Sequence, residues 1–241
     1  HFFDNMKNGE RWTPDYACFA FGMFVPILLS FITSLFIGSG YSDGAVRNKL
    51  IVGHLRRDIY LSGLIVCSAA GVLLSAAYLV PYICLGILLL GGFGASPAEL
   101  SMYTGLNIAL VITFAALFAL IATLCQNKAY STAGCILLVF ALLFAGVRIT
   151  SALNEPEYYS GYSLTENGVT TSEEAEPNPN YLSGTKRRIY EFLLDFTPGG
   201  QSLQLSNMNT DKPAALAIYD GIILIAATGC GLLLFRRKDL K

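Results

Sequence analysis

The sequence predicts an all-α protein, a polytopic bundle of transmembrane helices. Of its 241 residues, 54% are hydrophobic and only 14% are charged, and the mean hydropathy is +0.52. A soluble domain of this length cannot bury so much apolar surface, so the surplus must face lipid. The apolar residues form five stretches long enough to cross a hydrocarbon core of about 30 Å, for which a helix needs roughly 20 residues. These runs lack the two-residue alternation of an outer-membrane barrel, which leaves helices as the predicted structure.

The five stretches divide a single transmembrane domain, 1–241, into spans and loops. The spans cover about 16–37, 59–90, 103–125, 129–152 and 214–235, and the two long connections are 38–58 and 153–213. The second stretch exceeds one simple span, and Pro81 within it predicts a kink or a break near its outer end. Because the chain opens at His1 without a methionine or an apolar leading segment, we expect a further helix ahead of it, which would give six spans in the full-length protein.

The distribution of lysine and arginine predicts the orientation of the chain. By the positive-inside rule, the loop 38–58, the connection 126–128 and the tail after Phe235 are cytoplasmic, and the loop 153–213 is extracellular. The carboxyl end of this multi-pass protein is then cytoplasmic. The three cytoplasmic pieces contain Arg47, Lys49, Arg56, Arg57, Lys128, Arg236, Arg237, Lys238 and Lys241, against Asp43, Asp58 and Asp239.

The extracellular loop has two parts of different character. Residues 154–180 are rich in Glu, Asn, Ser, Gly and Pro, which is typical of a solvated segment. In residues 181–205 apolar side chains return at helical spacing, as in Ile189, Phe192 and Phe196, which predicts a short amphipathic helix. We expect this helix to stop at the run from Thr197 to Gly200, and to lie on the outer membrane surface or to re-enter the bundle.

A second short helix is predicted in the cytoplasmic loop. Ser42 is a suitable N-cap, Val46 and Leu50 share one face, and Gly53 can close the helix. The exposed side would present Arg47, Asn48 and Lys49. From these residues alone the loop has two interpretations, a basic segment that sets topology and touches anionic lipid, or a docking surface.

Few side chains offer chemistry of other kinds. The six cysteines lie inside apolar runs and only two histidines exist, so no metal site is predicted. A net charge of −1 gives no basic field for nucleic acid. Asp220 is the one acidic residue within an apolar span, for which an interfacial or structural role is favoured over a proton relay because it lies about two turns inside its helix.

Three segments of the sequence form a further pattern. From Gly44 to Ser62 the chain has the form Gly-x-x-Arg-Asn-Lys-Leu-x-x-Gly-x-x-Arg-x-x-Ile-Tyr-Leu-Ser, from Phe192 to Gln201 it is Phe-Leu-Leu-Asp-Phe-Thr-Pro-Gly-Gly-Gln, and it ends Phe-Arg-Arg-Lys-Asp-Leu-Lys. In this order, and on the sides of the membrane assigned above, the segments resemble the cytoplasmic loop, the outer segment before the last helix and the basic tail of bacterial type 2 ABC exporter permeases.

The resemblance implies a permease of the bacterial plasma (inner) membrane that pairs with a second permease chain, as a homodimer or a heterodimer. Each permease would dock through its short cytoplasmic helix on an ABC ATP-binding subunit, which binds the ATP and magnesium. The chain itself has no GxxxxGK[ST] run and is expected to bind no cofactor. The implied coupling residues are Arg47, Asn48, Lys49, Leu50, Gly53 and Arg56, and the implied outer re-entrant segment contains Asp195, Pro198, Gly199, Gly200 and Gln201.

The sequence thus favours a transport subunit that is not itself an enzyme, exporting a lipid-like, peptide or drug-like substrate. The alternative is a membrane channel or anchor without an ATPase partner, although the spans lack regular polar or charged rings. A membrane-embedded enzyme is a third class. It would need catalytic groups at membrane depth, such as HExxH or paired aspartates, and the sequence contains neither pattern there.

Overall fold

The computed structural model describes residues 15–159, 163–166, 169–172 and 176–237, so the basic tail after Arg237 lies outside the described residues. A small antiparallel hairpin of two strands, β1 (Ser163–Glu166) and β2 (Val169–Ser172), interrupts an otherwise helical chain. The helices are α1 (Asp15–Cys18), α2 (Phe21–Ser42), α3 (Ala45–Ile51), α4 (Arg56–Leu90), α5 (Pro97–Cys125), α6 (Lys128–Leu153), α7 (Gly184–Phe196), α8 (Pro198–Ser206) and α9 (Pro213–Arg237).

The predicted all-α bundle is confirmed. In the described part of the chain, α2, α4, α5, α6 and α9 are each long and apolar enough to cross a membrane. Helices α4, α5, α6 and α9 each contain one of the five predicted stretches. Helix α2 covers Phe21–Ser42 in place of the predicted 16–37, because Asp15–Cys18 form the separate helix α1 and the helical backbone continues to Ser42. The chain is therefore a multi-pass membrane protein.

Two further differences from the sequence prediction concern the start of α5 and the course of α4. Helix α5 begins six residues earlier than expected, because the Ser96 hydroxyl accepts a hydrogen bond from the Glu99 N–H at 3.2 Å and the Glu99 carboxylate accepts one from the Ser96 N–H at 2.8 Å. This capping box, followed by proline at the first helical position, satisfies backbone donors at the start of the helix. At Pro81 the sequence predicts a kink or a break, and the break is wrong, since α4 continues through Pro81 to Leu90 as one helix of 35 residues.

Helix α5 forms the centre of the bundle. It packs against α2, α4, α6 and α9, and 56% of its most apolar stretch is buried, against 11% for α6 and 17% for α4. Leu110, Phe114 and Phe118 on α5 are completely buried. Large apolar side chains on the peripheral helices point outward, among them Leu73 on α4 and Ile225 on α9, where lipid would cover them.

The connections lie on two opposite sides of the bundle. On one side, the α3 side, the Lys128 N–H at the start of α6 donates to the Ser42 hydroxyl at 3.1 Å, which joins the ends of two neighbouring spans. On the other side, the α7 side, the Asp15 carboxylate accepts hydrogen bonds from the N–H groups of Gly94 at 2.8 Å and Ala95 at 3.2 Å. These bonds fix the α1 segment to the loop between α4 and α5.

Candidate functional site

Helix α3 is closed at both ends by backbone geometry. The residue before it is Gly44, in the left-handed conformation at φ 74°. The expectation that Ser42 caps this helix is wrong, because Ser42 is the last residue of α2 and its hydroxyl binds the start of α6 instead. A glycine at positive φ makes the sharp reversal between α2 and α3 accessible without strain.

The predicted closure at Gly53 is confirmed. The Gly53 N–H donates to the Leu50 carbonyl at 3.1 Å and the His54 N–H donates to the Lys49 carbonyl at 3.1 Å, with Gly53 at φ 102°. These two bonds form a Schellman motif, which satisfies the last carbonyls of a helix and turns the chain away. Gly53 therefore ends α3 and sets the direction of the chain into α4. It has no side chain that could contact a partner.

The surface of α3 is both cationic and apolar. Arg47, Asn48 and Lys49 are exposed, as the sequence predicts, whereas Val46 is buried and Leu50 is half-buried against the bundle. The sequence prediction missed that Ile51 and Val52 are also exposed, by 74% and 79%. Exposed apolar side chains beside positive charge on a loop outside the spans are typical of a contact surface.

Arg56, predicted to belong to the coupling surface, bonds to the last span. Its Nη1 donates to the carbonyl of Phe235 at 2.9 Å, and its guanidinium lies 5.7 Å from the centroid of the Phe235 ring. A cation placed at the carboxyl end of a helix meets the negative end of the helix dipole and bonds carbonyls that lack partners in the helix. Phe235 is buried and also contacts the Tyr41 ring edge-on at 6.2 Å. The start of α4 is thus fixed to the end of α9.

Helix α8 enters the bundle and leaves it on the same side. Pro198, Gly199, Gly200 and Gln201 are all buried, and α8 packs against α2, α5 and α6. The expected stop after Thr197 is only partly right: α7 ends at Phe196, but the Thr197 hydroxyl accepts a hydrogen bond from the Gly200 N–H at 3.3 Å and starts a new helix. The segment is therefore a re-entrant helix packed within the bundle.

Small residues allow α8 to approach α6 at the level of the backbone. A Cβ placed on Gly146 of α6 would lie 2.6 Å from the carbonyl carbon of Gly199 and 2.9 Å from the Gly200 nitrogen. On the other side of the contact, a Cβ on Gly199 would collide with the Leu142 carbonyl group. Only glycine fits these positions without separating the two helices.

A polar cavity of about 410 Å³ opens on the α7 side, between the end of α6, helices α7 and α8, and the segment before α9. The Asp195 carboxylate lies at its wall and accepts hydrogen bonds from Gln204 Nε2 at 3.2 Å and Lys212 Nζ at 3.3 Å. Arg187 and Glu191 form a second ion pair along the same wall, at 3.1 Å. Of the predicted outer segment, Asp195 thus lines the cavity, while Pro198 to Gln201 are buried in the bundle and do not line it.

Asp220 lies deeper in the fold than its place in its own helix indicates. Its side chain is 2% exposed, and its backbone carbonyl faces the Thr113 hydroxyl at 3.4 Å, near the middle of α5. Neither carboxylate oxygen accepts a hydrogen bond of standard geometry from a described residue, although the Thr113 hydroxyl is close enough to interact with the carboxylate. The expectation that water at the membrane surface solvates this carboxylate does not agree with its burial between α5 and α9.

The predicted site residues therefore form separate groups. The α3 residues and Arg56 lie on one side of the bundle, Asp195 to Gln201 lie on the other, and Asp220 lies between the sides. In the described part of the chain no three His, Cys, Asp or Glu residues are close enough to hold a metal ion. Comparisons of the chain with models of protein families, with curated proteins and with solved structures find no match.

Proposed function

We propose that the chain is the transmembrane permease subunit of an ATP-binding cassette exporter in the bacterial plasma membrane. The observation that carries this proposal is the surface of α3, where Arg47, Asn48 and Lys49 stand beside the exposed side chains of Ile51 and Val52. A cationic and apolar surface on a short helix between two spans, with both helix ends fixed by glycine turns, suits a soluble protein partner. The resemblance of the segment to the cytoplasmic loop of type 2 permeases names the partner as an ATP-binding subunit.

The contacts around α3 suggest how such a partner would act on the membrane part. Helix α3 is joined by short turns to α2 and to α4, and the Arg56 bond to the Phe235 carbonyl extends this connection to α9. The Tyr60 ring packs directly on Gly231 of α9, since a Cβ there would lie 2.7 Å from its Cε2. A displacement of α3 would therefore reach three of the five spans. The ATP and magnesium would be bound on the partner, and this chain would convert the motion into a rearrangement of helices.

On this proposal the α3 side and the carboxyl end are cytoplasmic, and a second permease chain completes the transport path. A lipid-like, peptide or drug-like substrate would pass along the interface between the two permease halves. The polar cavity between α7 and α8 lies on the side where the substrate would leave. Export without an ATPase partner, as by a channel, and a role as a membrane anchor are the competing functions.

The proposal is tested by purifying the tagged chain from its native membrane in mild detergent and identifying the proteins that accompany it. The test variant is Arg47→Glu with Lys49→Glu. The matched control is Arg57→Glu with Lys128→Glu, which changes the charge of the same side by the same amount at two exposed positions outside α3.

We expect a stoichiometric subunit with a phosphate-binding loop and ATPase activity to accompany the wild type and the control, and its recovery to fall at least about tenfold in the test variant, as expected when charged groups at an interface are reversed. Recovery of no ATPase with any of the three proteins would overturn the proposal and favour a channel or an anchor. Equal loss in test and control would show that the charge of the whole side, and not α3, holds the subunit.

A further inference from the structure

Helix α7 has two faces that serve different surroundings. Arg187, Glu191 and Asp195 lie on the face that lines the polar cavity. On the opposite face Ile189 and Phe192, three residues apart, are exposed by 52% and 49%. At 3.6 residues per turn these two side chains form one outward apolar strip.

Positive charge flanks this strip on both edges. At about 100° of rotation per residue, Lys186 and Arg188 fall to either side of the line joining Ile189 and Phe192. Both are exposed, and neither forms an ion pair with a described residue, in contrast to Arg187, which is bonded to Glu191. An apolar strip bordered by long cationic side chains is the pattern of a helix that lies in the interface of a membrane, since such side chains extend to the phosphate layer.

Contacts with the last span place the strip at membrane depth. The Phe192 ring meets the Tyr219 ring of α9 edge-on at 5.9 Å. Tyr219 is six residues inside α9, which corresponds to about 9 Å along the helix axis. Its neighbours Ile218 and Ile222 are outward-facing side chains of a membrane span, exposed by 60% and 50%. The strip of α7 is therefore next to surface that lipid already covers.

We propose that α7 is a binding site for anionic phospholipid, with Ile189 and Phe192 among the acyl chains and Lys186 and Arg188 on the headgroup phosphates. A soluble protein partner fits this face less well than it fits the α3 surface, because the strip contacts Tyr219 six residues inside a membrane span, beside side chains that lipid would cover. The proposal depends on the five spans and on α7, and it holds whether or not an ATPase accompanies the chain.

The depth of the strip can be measured with tryptophan fluorescence. The chain has a single tryptophan, Trp12, so Phe192→Trp in a Trp12→Phe background gives one reporter in the full chain. The protein is reconstituted in vesicles whose phosphatidylcholine carries bromine at different acyl positions. The control is Tyr158→Trp in the same background, at a position that is 54% exposed on the same side but in the loop after α6.

We expect bromine near the top of the acyl chain to quench the strip reporter of the Phe192→Trp variant strongly and deeper bromine to quench it less, with emission shifted to the blue. The loop reporter of the Tyr158→Trp variant should remain unquenched. The headgroup contact is tested with brominated phosphatidylglycerol at a fixed fraction of the lipid. Its enrichment at the strip reporter should fall about fivefold for each residue changed in Lys186→Gln and Arg188→Gln, as expected if a basic residue at the surface contributes about 1 kcal/mol.

Two results would overturn this inference. A strip reporter that is unquenched, with emission like that of the loop reporter, would place the strip in water, where a protein partner could cover it. Quenching that is equal for the two lipids, and unchanged in the Lys186 and Arg188 variants, would show that the strip meets the membrane without binding anionic headgroups.

Discussion

The contact between α6 and α8 makes a strong prediction at Gly146. A Cβ introduced there would lie 2.6 Å from both the carbonyl carbon and the oxygen of Gly199, and the three nearest atoms all belong to the backbone. Carbon atoms of side chains do not approach backbone atoms closer than about 3 Å, so Gly146→Ala requires α6 and α8 to separate by several tenths of an ångström.

The magnitude follows from two opposing effects. Alanine is favoured over glycine inside a helix by about 1 kcal/mol, while overpacking a tight contact that cannot relax by a rotamer change costs about 1–3 kcal/mol. For Gly146→Ala we therefore expect a net loss of up to about 2 kcal/mol in the free energy of unfolding. Gly105→Ala on α5 is the matched control, because nothing lies within 4 Å of its Cβ position, and it should gain up to about 1 kcal/mol.

Unfolding in mixtures of mild detergent and SDS, followed by circular dichroism, measures both variants against the wild type. The double variant Gly146→Ala with Gly199→Ala should lose less than the sum of the two single losses, since the first methyl group already separates the backbones. A midpoint for Gly146→Ala equal to that of Gly105→Ala would refute the reasoning, because it would mean that α6 and α8 are not in backbone contact.

Three further predictions concern other contacts. Arg56→Gln should speed hydrogen exchange in the last turn of α9, where the Phe235 carbonyl loses its charged donor, and should leave α6 unchanged; equal exchange in both proteins would contradict the role of this bond. Asp220→Asn should keep or raise the unfolding midpoint, because a buried carboxylate without a hydrogen bond of standard geometry is costly, and a clear fall would show that the carboxylate has a partner. Asn127→Ala should lower stability by about 1 kcal/mol, since it removes the acceptor of two N–H groups at the start of α6, whereas Asn127→Ser should restore most of it.

Hydropathy and length were sufficient to predict the five spans, because each apolar run can satisfy its backbone only as a helix in lipid. Local signals also predicted the closure of α3 at Gly53. The early start of α5 could also have been predicted from the sequence, because the run from Ser96 through Pro97 to Glu99 is a capping box with proline at the first helical position. Hydropathy alone assigned these polar residues to the loop.

Contacts between distant parts of the chain could not be predicted in this way. Arg56 and Phe235 are 179 residues apart, and nothing near Arg56 in the sequence indicates that the carboxyl end of another helix lies beside it. The run Pro198-Gly199-Gly200 is usually a helix stop, and the cap by Thr197 with proline at the first helical position starts α8 there. That α8 packs against α6 depends on Gly146, which is distant from this run in the sequence. The burial of Asp220 depends on which part of α5 lies beside it. The number of residues between Asp220 and the start of α9 does not show that this part is the middle of α5, near Thr113.

The central position of α5 has a consequence for how the protein is made. Helix α5 has the highest mean hydropathy of the five spans, yet it is also the most buried and faces the least lipid. A chain is synthesised from its amino end, so α5 must enter the bilayer before α6, α8 and α9 exist to surround it. Its apolar surface is thus required at insertion, when lipid is the neighbour on several sides. The Thr113 hydroxyl, which faces the Asp220 carbonyl of α9 in the folded protein, is then exposed to hydrocarbon until α9 is inserted.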